Sequence, residues 1–176
     1  IVAIGETGLD YYYNTEKLSV MRDRFRDHIR AAKIAKKPLI IHTRDARDDT
    51  IKIMIEENAA EVGGVMHCFT ESLSMAQAAL DLNFYISFSG IVTFSNAQEV
   101  KEVAKKVPLE RMLIETDSPY LAPQPYRGKP NQPAYVRYVA ESIAQLKELS
   151  VLEVAEQTSE KPRKGVLKII ETELNK

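Results

Sequence analysis

The sequence predicts an α/β fold in which parallel strands alternate with helices, and it favours a TIM-type (β/α) barrel. Apolar runs alternate five times with stretches in which apolar residues recur at helical spacing. The runs at 39–41 and 112–114 are apolar throughout, as strands are when both of their faces are covered. Four runs close on an acidic residue or a histidine, and the catalytic groups of such barrels lie where strands meet loops.

Each element follows from a local pattern. Continuous apolar runs predict strands, and apolar residues three and four positions apart predict helices. Ser95 with Gln98, and Ser150 with Glu153, match the capping box that marks a helix start. In chain order, the predicted elements are strand 1–5, helix 16–36, strand 39–41, helix 46–58, strand 63–67, helix 72–82, strand 84–88, helix 96–106, strand 112–115 and helices 133–149 and 151–157.

The alternation of strands and helices leaves two architectures open. A flavodoxin-like open sheet and a segment of a barrel both contain serial β/α units. In the barrel, the units found here would supply about five of the eight strands. The ligand-type residues at the strand ends favour the barrel.

The composition is that of one folded domain. With 176 residues and 44% hydrophobic content the chain can bury a core, and we treat 1–176 as a single domain with an atypical lysine-rich tail at 159–176. A formal charge of −1 provides no broad basic field, so contact with nucleic acid would be local or mediated by a metal. One cysteine indicates a reducing compartment, and no apolar stretch approaches the roughly 20 residues of a membrane span. We therefore expect a cytoplasmic protein that does not enter a membrane.

Two acids and two histidines close the four apolar runs. A hydrolase that uses two metal ions needs a carboxylate that bridges the ions, neutral imidazoles that complete their coordination, and a carboxylate near the attacking water. The set supplies these groups and predicts a divalent metal centre, without naming the ion. The residues are Glu6, His42, His67 and Asp117.

Simpler roles compete with metal binding at single positions. One histidine at a strand end is as readily a hydrogen-bonded structural residue as a ligand, and only the combined set favours a metal. His28 lies inside a predicted helix, which favours a surface or packing role. Cys68 follows His67, and alternation along a strand directs it to the opposite face, which indicates a structural thiol.

Groups that could bind a phosphate or a base follow the same strands. Arg44 could clamp a phosphate, with a salt bridge to a neighbouring acid as the alternative. Arg127, Lys129 and Asn131 lie in the loop after the fifth strand, where barrels commonly bind phosphate, although an ordinary solvated loop fits as well. The tyrosines at 11–13 could stack on bases, but packing at the barrel rim is favoured.

Five motifs occur in an order that is familiar from one family. GETGLDYYY, KPLIIHTRDA, GVMHCFT and LIETDSPYLAP, followed by YRGKPNQP, make the chain resemble the TatD-family metal-dependent deoxyribonucleases of the amidohydrolase superfamily, which are TIM barrels. The resemblance runs from residue 1 to about residue 158.

The resemblance implies roles for the strand-end residues. Glu6 would bridge two divalent ions (Mg, Mn or Zn), and His42 and His67 would ligate one of them. Asp117 would ligate the other ion and orient or deprotonate the attacking water. The implied activity is hydrolysis of phosphodiester bonds in DNA, at single strands or ends, by an enzyme that is monomeric at full length. The implied phosphate contacts are Arg44, Arg127, Lys129 and Asn131.

The chain departs from the family pattern in three places. It lacks the opening H-x-H strand and the two strands that follow it, it has Gln132 where the family usually has Glu, and its ending from Ser159 onward differs. We therefore expect the C-terminal portion of a longer protein, with a homodimer that completes the barrel as the alternative. Such a portion would keep the second metal site, lose much of the first, and have weak or absent nuclease activity by itself, which an upstream extension would restore.

Two other functions stay open at this level. An amidohydrolase that cleaves a small-molecule amide or ester would share the metal residues. A non-catalytic remnant that binds a partner would not depend on Glu6 or His67 for metal binding.

Overall fold

A computed structural model describes residues 1–13 and 16–159 of the chain. Apart from Ser159, the predicted lysine-rich tail lies outside the described residues. No helix in the described ranges is long and apolar enough to cross a membrane.

The strands form one parallel sheet whose spatial order is the order of the chain. This order excludes the flavodoxin-like alternative, in which the first strand lies between the second and the third. Serial order is the winding of a barrel, and the prediction of a TIM-type arc is confirmed, with an open sheet across the described residues. The strands are β1 (Ile4–Asp10), β2 (Leu39–Arg44), β3 (Gly64–Met66), β4 (Phe84–Phe88) and β5 (Met112–Ile114).

The helices form a single layer against the sheet, because each contacts the next helix in the chain. The core lies between this layer and the sheet, and its largest side chains include Phe25, Ile29, Met54 and Phe84, all almost fully buried. Most boundaries agree with the sequence prediction to within two or three residues. The helices are α1 (Leu18–Ala35), α2 (Arg47–Glu56), α3 (Leu73–Asp81), α4 (Gln98–Lys106), α5 (Val136–Lys147) and a last helix over 151–159.

One of the two predicted capping boxes forms. Ser150 accepts a hydrogen bond from the Glu153 N–H at 3.2 Å, and the Glu153 carboxylate accepts one from the Ser150 N–H at 2.9 Å. The box at Ser95 and Gln98 is wrong, because Ala97 is the N-cap of α4 and the Gln98 side chain donates to the Ser95 carbonyl instead.

The first strand differs most from its prediction. We predicted residues 1–5, whereas β1 runs over Ile4–Asp10, so Glu6 lies inside the strand and not at its end. The pairing with β2 shifts register between Ile4 and Thr7, so the ladder is irregular around Glu6. Such an irregularity changes the direction of the side chains beside it. His42 likewise lies within β2, two residues before its end, whereas His67 directly follows β3.

Candidate metal centre

The structure brings the four predicted metal residues together, and we call Glu6, His42, His67 and Asp117 the strand-end cluster. The Glu6 carboxylate lies between the two imidazoles, with Oε1 3.2 Å from His42 Nδ1 and Oε2 4.0 Å from His67 Nε2. His67 Nε2 is also 3.5 Å from Asp117 Oδ1. Glu6 is the most exposed of the four, with 49% of its side chain accessible.

Two further acids, which the sequence prediction missed, contact the far nitrogen of each histidine. Asp10 Oδ2 lies 3.1 Å from His42 Nε2, and Glu115 Oε2 lies 3.1 Å from His67 Nδ1. The Ser87 hydroxyl donates to that same Glu115 oxygen. We call Asp10 and Glu115 the outer carboxylates.

A sequence signal for the outer carboxylates exists in hindsight. Glu115 precedes Asp117 by two positions, so the two acids are close neighbours in the chain. Asp10 is paired in register with Arg44, which follows His42 by two positions and lies on the same face of β2. Each acid is therefore near a cluster residue, but only tertiary contacts assign the histidine that it faces.

The donor set fits a divalent cation. A neutral imidazole has one N–H, yet each histidine faces carboxylate oxygens at both ring nitrogens. Each ring nitrogen that faces a carboxylate therefore needs a positive charge in between, which a second ring proton supplies in the metal-free protein and a metal ion can supply in its place. Metal–ligand distances of about 2.1 Å place neighbouring ligand atoms roughly 3 to 3.4 Å apart. The separation of 3.2 Å in the strand-end cluster falls in this range, and the separations of 3.5 and 4.0 Å are wider.

Glu115 orients His67, although its position would also allow a direct metal contact. His67, Glu115 and Asp117 each offer a ligand atom within 4.8 Å of the others. The Nδ1 contact and the Ser87 hydroxyl hold Glu115 behind the ring, so that His67 Nε2 is directed at Glu6 and Asp117. A carboxylate behind a ligating histidine is the common outer partner in metal sites.

The cluster shifts the proton affinity of its members. The pKa of His67 is raised to about 9, first by the hydrogen bond to Glu115 and then by the charges of Glu115, Glu6 and Asp117, against the effect of burial. Burial raises the pKa of Asp117, and the nearby charges of Glu115 and Glu6 act in the same direction. Asp117 is therefore a better proton acceptor than an ordinary aspartate.

Cys68 and His28 stand beside the cluster. Burial raises the pKa of the Cys68 thiol to about 12, and its Sγ lies 3.2 Å from the Ser89 hydroxyl, as suits a structural thiol. His28 lies on an exposed part of α1, with Nδ1 2.9 Å from the Thr7 hydroxyl. It also lines a cleft of about 430 Å³ that Glu6 and His42 border, so it is closer to the centre than its helical position indicated.

The residues predicted to contact phosphate lie in different environments. Arg44 lies next to the cluster through its pairing with Asp10, whereas Arg127 stacks on Phe94 with its guanidinium carbon 3.7 Å from the ring centre. Lys129 is exposed in the same loop as Arg127.

Asn131 has a different role from the predicted one. It is buried, and its amide nitrogen donates at 2.7 Å to the carbonyls of Thr116 and Tyr120. Both amide N–H groups are used in this way, which leaves none for a phosphate. Asn131 instead fastens the loop to the segment that carries Asp117.

Comparisons with known proteins show the family and the fold of the chain. The sequence profile described as TatD related DNase matches residues 1–165. The chain belongs to the TatD-related DNase family. YcfH of Escherichia coli K12, named an uncharacterized metal-dependent hydrolase, is 56% identical over 160 residues, which are 91% of this chain and 60% of YcfH.

A second relative and a solved structure are similar to the chain over comparable lengths. YabD of Bacillus subtilis 168, also named an uncharacterized metal-dependent hydrolase, is 50% identical over 164 residues, covering 93% of this chain and 64% of YabD. The crystal structure of the TatD homolog YjjV from Escherichia coli K12 superposes with a TM-score of 0.87 at 26% identity, over 94% of this chain and 63% of YjjV. The chain thus spans less than two thirds of the length of these relatives. The ligand roles of the strand-end cluster stay predictions.

Proposed function

We propose that the chain is the metal-binding part of a TatD-type hydrolase that cleaves phosphodiester bonds of DNA with metal-activated water. The observation that carries the proposal is the Glu6 carboxylate between His42 Nδ1 and His67 Nε2, because one carboxylate with two imidazoles is the arrangement that a shared divalent centre needs. The family description supports DNA as the substrate class.

The strand-end cluster would hold one or two divalent ions such as Mg, Mn or Zn. When bound, the metal supplies positive charge that lowers the pKa of water and stabilises the negative charge that develops on the phosphate. Glu6 is shared between the two histidines and contributes the charge that holds the ions.

The side chains in and around the strand-end cluster have separate roles in the proposed reaction. Asp117 would accept the proton of the attacking water, and in the metal-free protein burial, together with its acidic neighbours, raises its pKa. The outer carboxylates Asp10 and Glu115 fix the rings of His42 and His67. Arg44, beside the cluster, can donate N–H groups to a substrate phosphate.

The proposal is tested with labelled single-stranded DNA in the presence of Mn²⁺, Mg²⁺ or Zn²⁺, and in EDTA. We expect metal-dependent cleavage that EDTA abolishes, and a loss of at least about 100-fold in Glu6→Gln and Asp117→Asn. Glu102→Gln is the control, since Glu102 is an acid on α4 with 59% of its side chain exposed that pairs with Lys105.

A parallel panel of lactones and cyclic amides separates the other functions. Turnover of such compounds without cleavage of DNA would assign a small-molecule amidohydrolase. Failure of the parent, Glu6→Ala and His67→Ala alike to bind Mn²⁺ or Zn²⁺ would show a non-catalytic protein. Equal DNA cleavage by the parent and Asp117→Asn would refute the assigned proton acceptor.

A further inference from the structure

The turn after β1 exposes two neighbouring aromatic rings. The exposed fractions of Tyr12 and Tyr13 are 57% and 72%, and their ring centres lie 4.8 Å apart in an edge-to-face pair. Tyr11 differs, because it packs against the core and its hydroxyl donates to Asp49 at 2.6 Å. Tyr11 therefore packs as predicted for the barrel rim, whereas the same prediction is wrong for Tyr12 and Tyr13.

One carboxylate ties this turn to the candidate metal centre. Asp10 Oδ1 accepts hydrogen bonds from the N–H groups of Tyr12 and Tyr13 at 3.0 and 3.3 Å. The other oxygen of Asp10 lies 3.1 Å from His42 Nε2. The backbone of the turn that carries the two rings is thus hydrogen-bonded to a carboxylate that also contacts the strand-end cluster.

A guanidinium group completes the surface. The Arg44 Cζ lies 3.8 Å from the ring centre of Tyr12 and 4.9 Å from that of Tyr13. Arg44 belongs to β2, and its carbonyl accepts the Tyr11 N–H at 2.9 Å, so the start of the turn is hydrogen-bonded to the strand that carries the guanidinium. Aromatic rings and a guanidinium plane together stack well on flat heterocycles, and the guanidinium edge can donate to a phosphate.

We propose that Tyr12, Tyr13 and Arg44 form a stacking site for a nucleobase of single-stranded nucleic acid, next to the bond to be cleaved. The inference rests on the proposed function for the position of the bond, but not for binding of the base. The site tolerates any base, because stacking uses the ring face and not the hydrogen-bonding edges. An exposed aromatic pair would also suit a protein partner, but the fixed cation and the neighbouring hydrolytic centre favour a phosphate-linked base.

Binding is measured by fluorescence anisotropy in EDTA, so that no strand is cleaved. Two single-stranded probes of equal length and equal label position are compared, oligothymidylate and an abasic oligomer. We expect the parent to bind the thymidylate probe roughly tenfold more tightly than the abasic probe. Tyr12→Ala/Tyr13→Ala should abolish this ratio, and Tyr12→Phe/Tyr13→Phe, which keeps both rings, should retain it.

The outcomes separate the stacking site from the catalytic proposal. A parent that binds both probes equally, or binds neither, or a double alanine variant that keeps the ratio, would overturn the stacking site. Base-dependent binding without metal-dependent cleavage would leave the stacking site standing and refute the nuclease. Ile34→Ala, at an 86% exposed position on α1, controls for surface changes, and circular dichroism confirms that each variant is folded.

Discussion

Single residues decide which nitrogen of each histidine can bind a metal. His67 directs Nε2 at Glu6 and Asp117 because Glu115 occupies Nδ1. Glu115→Gln removes the negative charge behind the ring and keeps the size of the side chain. We expect metal affinity to fall about 10- to 100-fold, as it does when outer partners of ligating histidines are changed.

The affinity of Glu115→Gln is measured by competition with a chromophoric chelator for Zn²⁺. Glu102→Gln is the matched control, since it removes an equal charge from an exposed helix position. An unchanged affinity in Glu115→Gln would show that Glu115 does not orient His67.

The raised pKa of His67 makes metal binding depend on pH. With a pKa of about 9, the imidazole carries a proton at pH 7 in the metal-free protein, and a ligating nitrogen must lose it. Affinity should therefore rise with pH up to about 9, and binding at pH 7 should release about one proton. Calorimetry in two buffers with different ionisation enthalpies measures this release, and a heat that is independent of the buffer would contradict it.

The raised pKa of His67 also makes the stability of the metal-free protein depend on pH. A pKa raised above the ordinary 6.5 stabilises the folded state below that value, and the stabilisation is lost as pH rises through about 9. Because the Glu115 hydrogen bond is the largest cause of the shift, Glu115→Gln should release fewer protons on metal binding than the parent does.

At the level of elements, the pairing of β1 with β2 positions Glu6 and His42. Gly8 has a φ of +138°, and a Cβ there would lie 1.9 Å from the His42 carbonyl oxygen. Gly8→Ala should therefore lower the free energy of unfolding by about 3 kcal/mol or more, through strain and overpacking together.

Comparison with Gly128→Ala separates the effect of backbone strain from that of overpacking. Gly128 also has a positive φ, +81°, but a Cβ there would meet nothing within 4 Å, so only backbone strain of about 1–2 kcal/mol applies. Urea unfolding followed by circular dichroism compares the two variants. An equal loss in both would mean that close packing of β1 on β2 contributes little.

Element type could be read from the sequence, because apolar periodicity reports directly which residues face the core. The first and last residues of an element were predicted less accurately where the backbone geometry is irregular. The two glycines of GETGLD are typical turn residues, yet both lie inside β1, next to the register shift in its pairing with β2. Ser95 and Gln98 matched a capping box, but the helix begins at Gln98 with Ala97 as its cap.

At the scale of the whole molecule, the barrel-type arc and the strand-end cluster were predictable because parallel strands bring their carboxyl ends to one edge. The outer carboxylates were not, since Asp10 and Glu115 meet histidines 32 and 48 residues away in the chain. Local patterns can place such an acid near the cluster but do not show which histidine it faces. The exposure of Tyr12 and Tyr13 beside Arg44 escaped prediction for the same reason.

The predicted ligands of the cluster come from four segments of the sheet, so metal binding should stabilise the whole fold and not one loop. Glu6 lies in β1, His42 in β2, His67 after β3 and Asp117 after β5. A ligand at 100 times its Kd adds about 2.7 kcal/mol, which for a chain of this size raises Tm by roughly 5–10 °C. Thermal unfolding with Zn²⁺ or Mn²⁺ and with EDTA tests this expectation. Because Glu6 contacts both histidines, Glu6→Gln should lose most of the shift and Glu102→Gln should keep it; an equal shift in both would place the bound metal elsewhere.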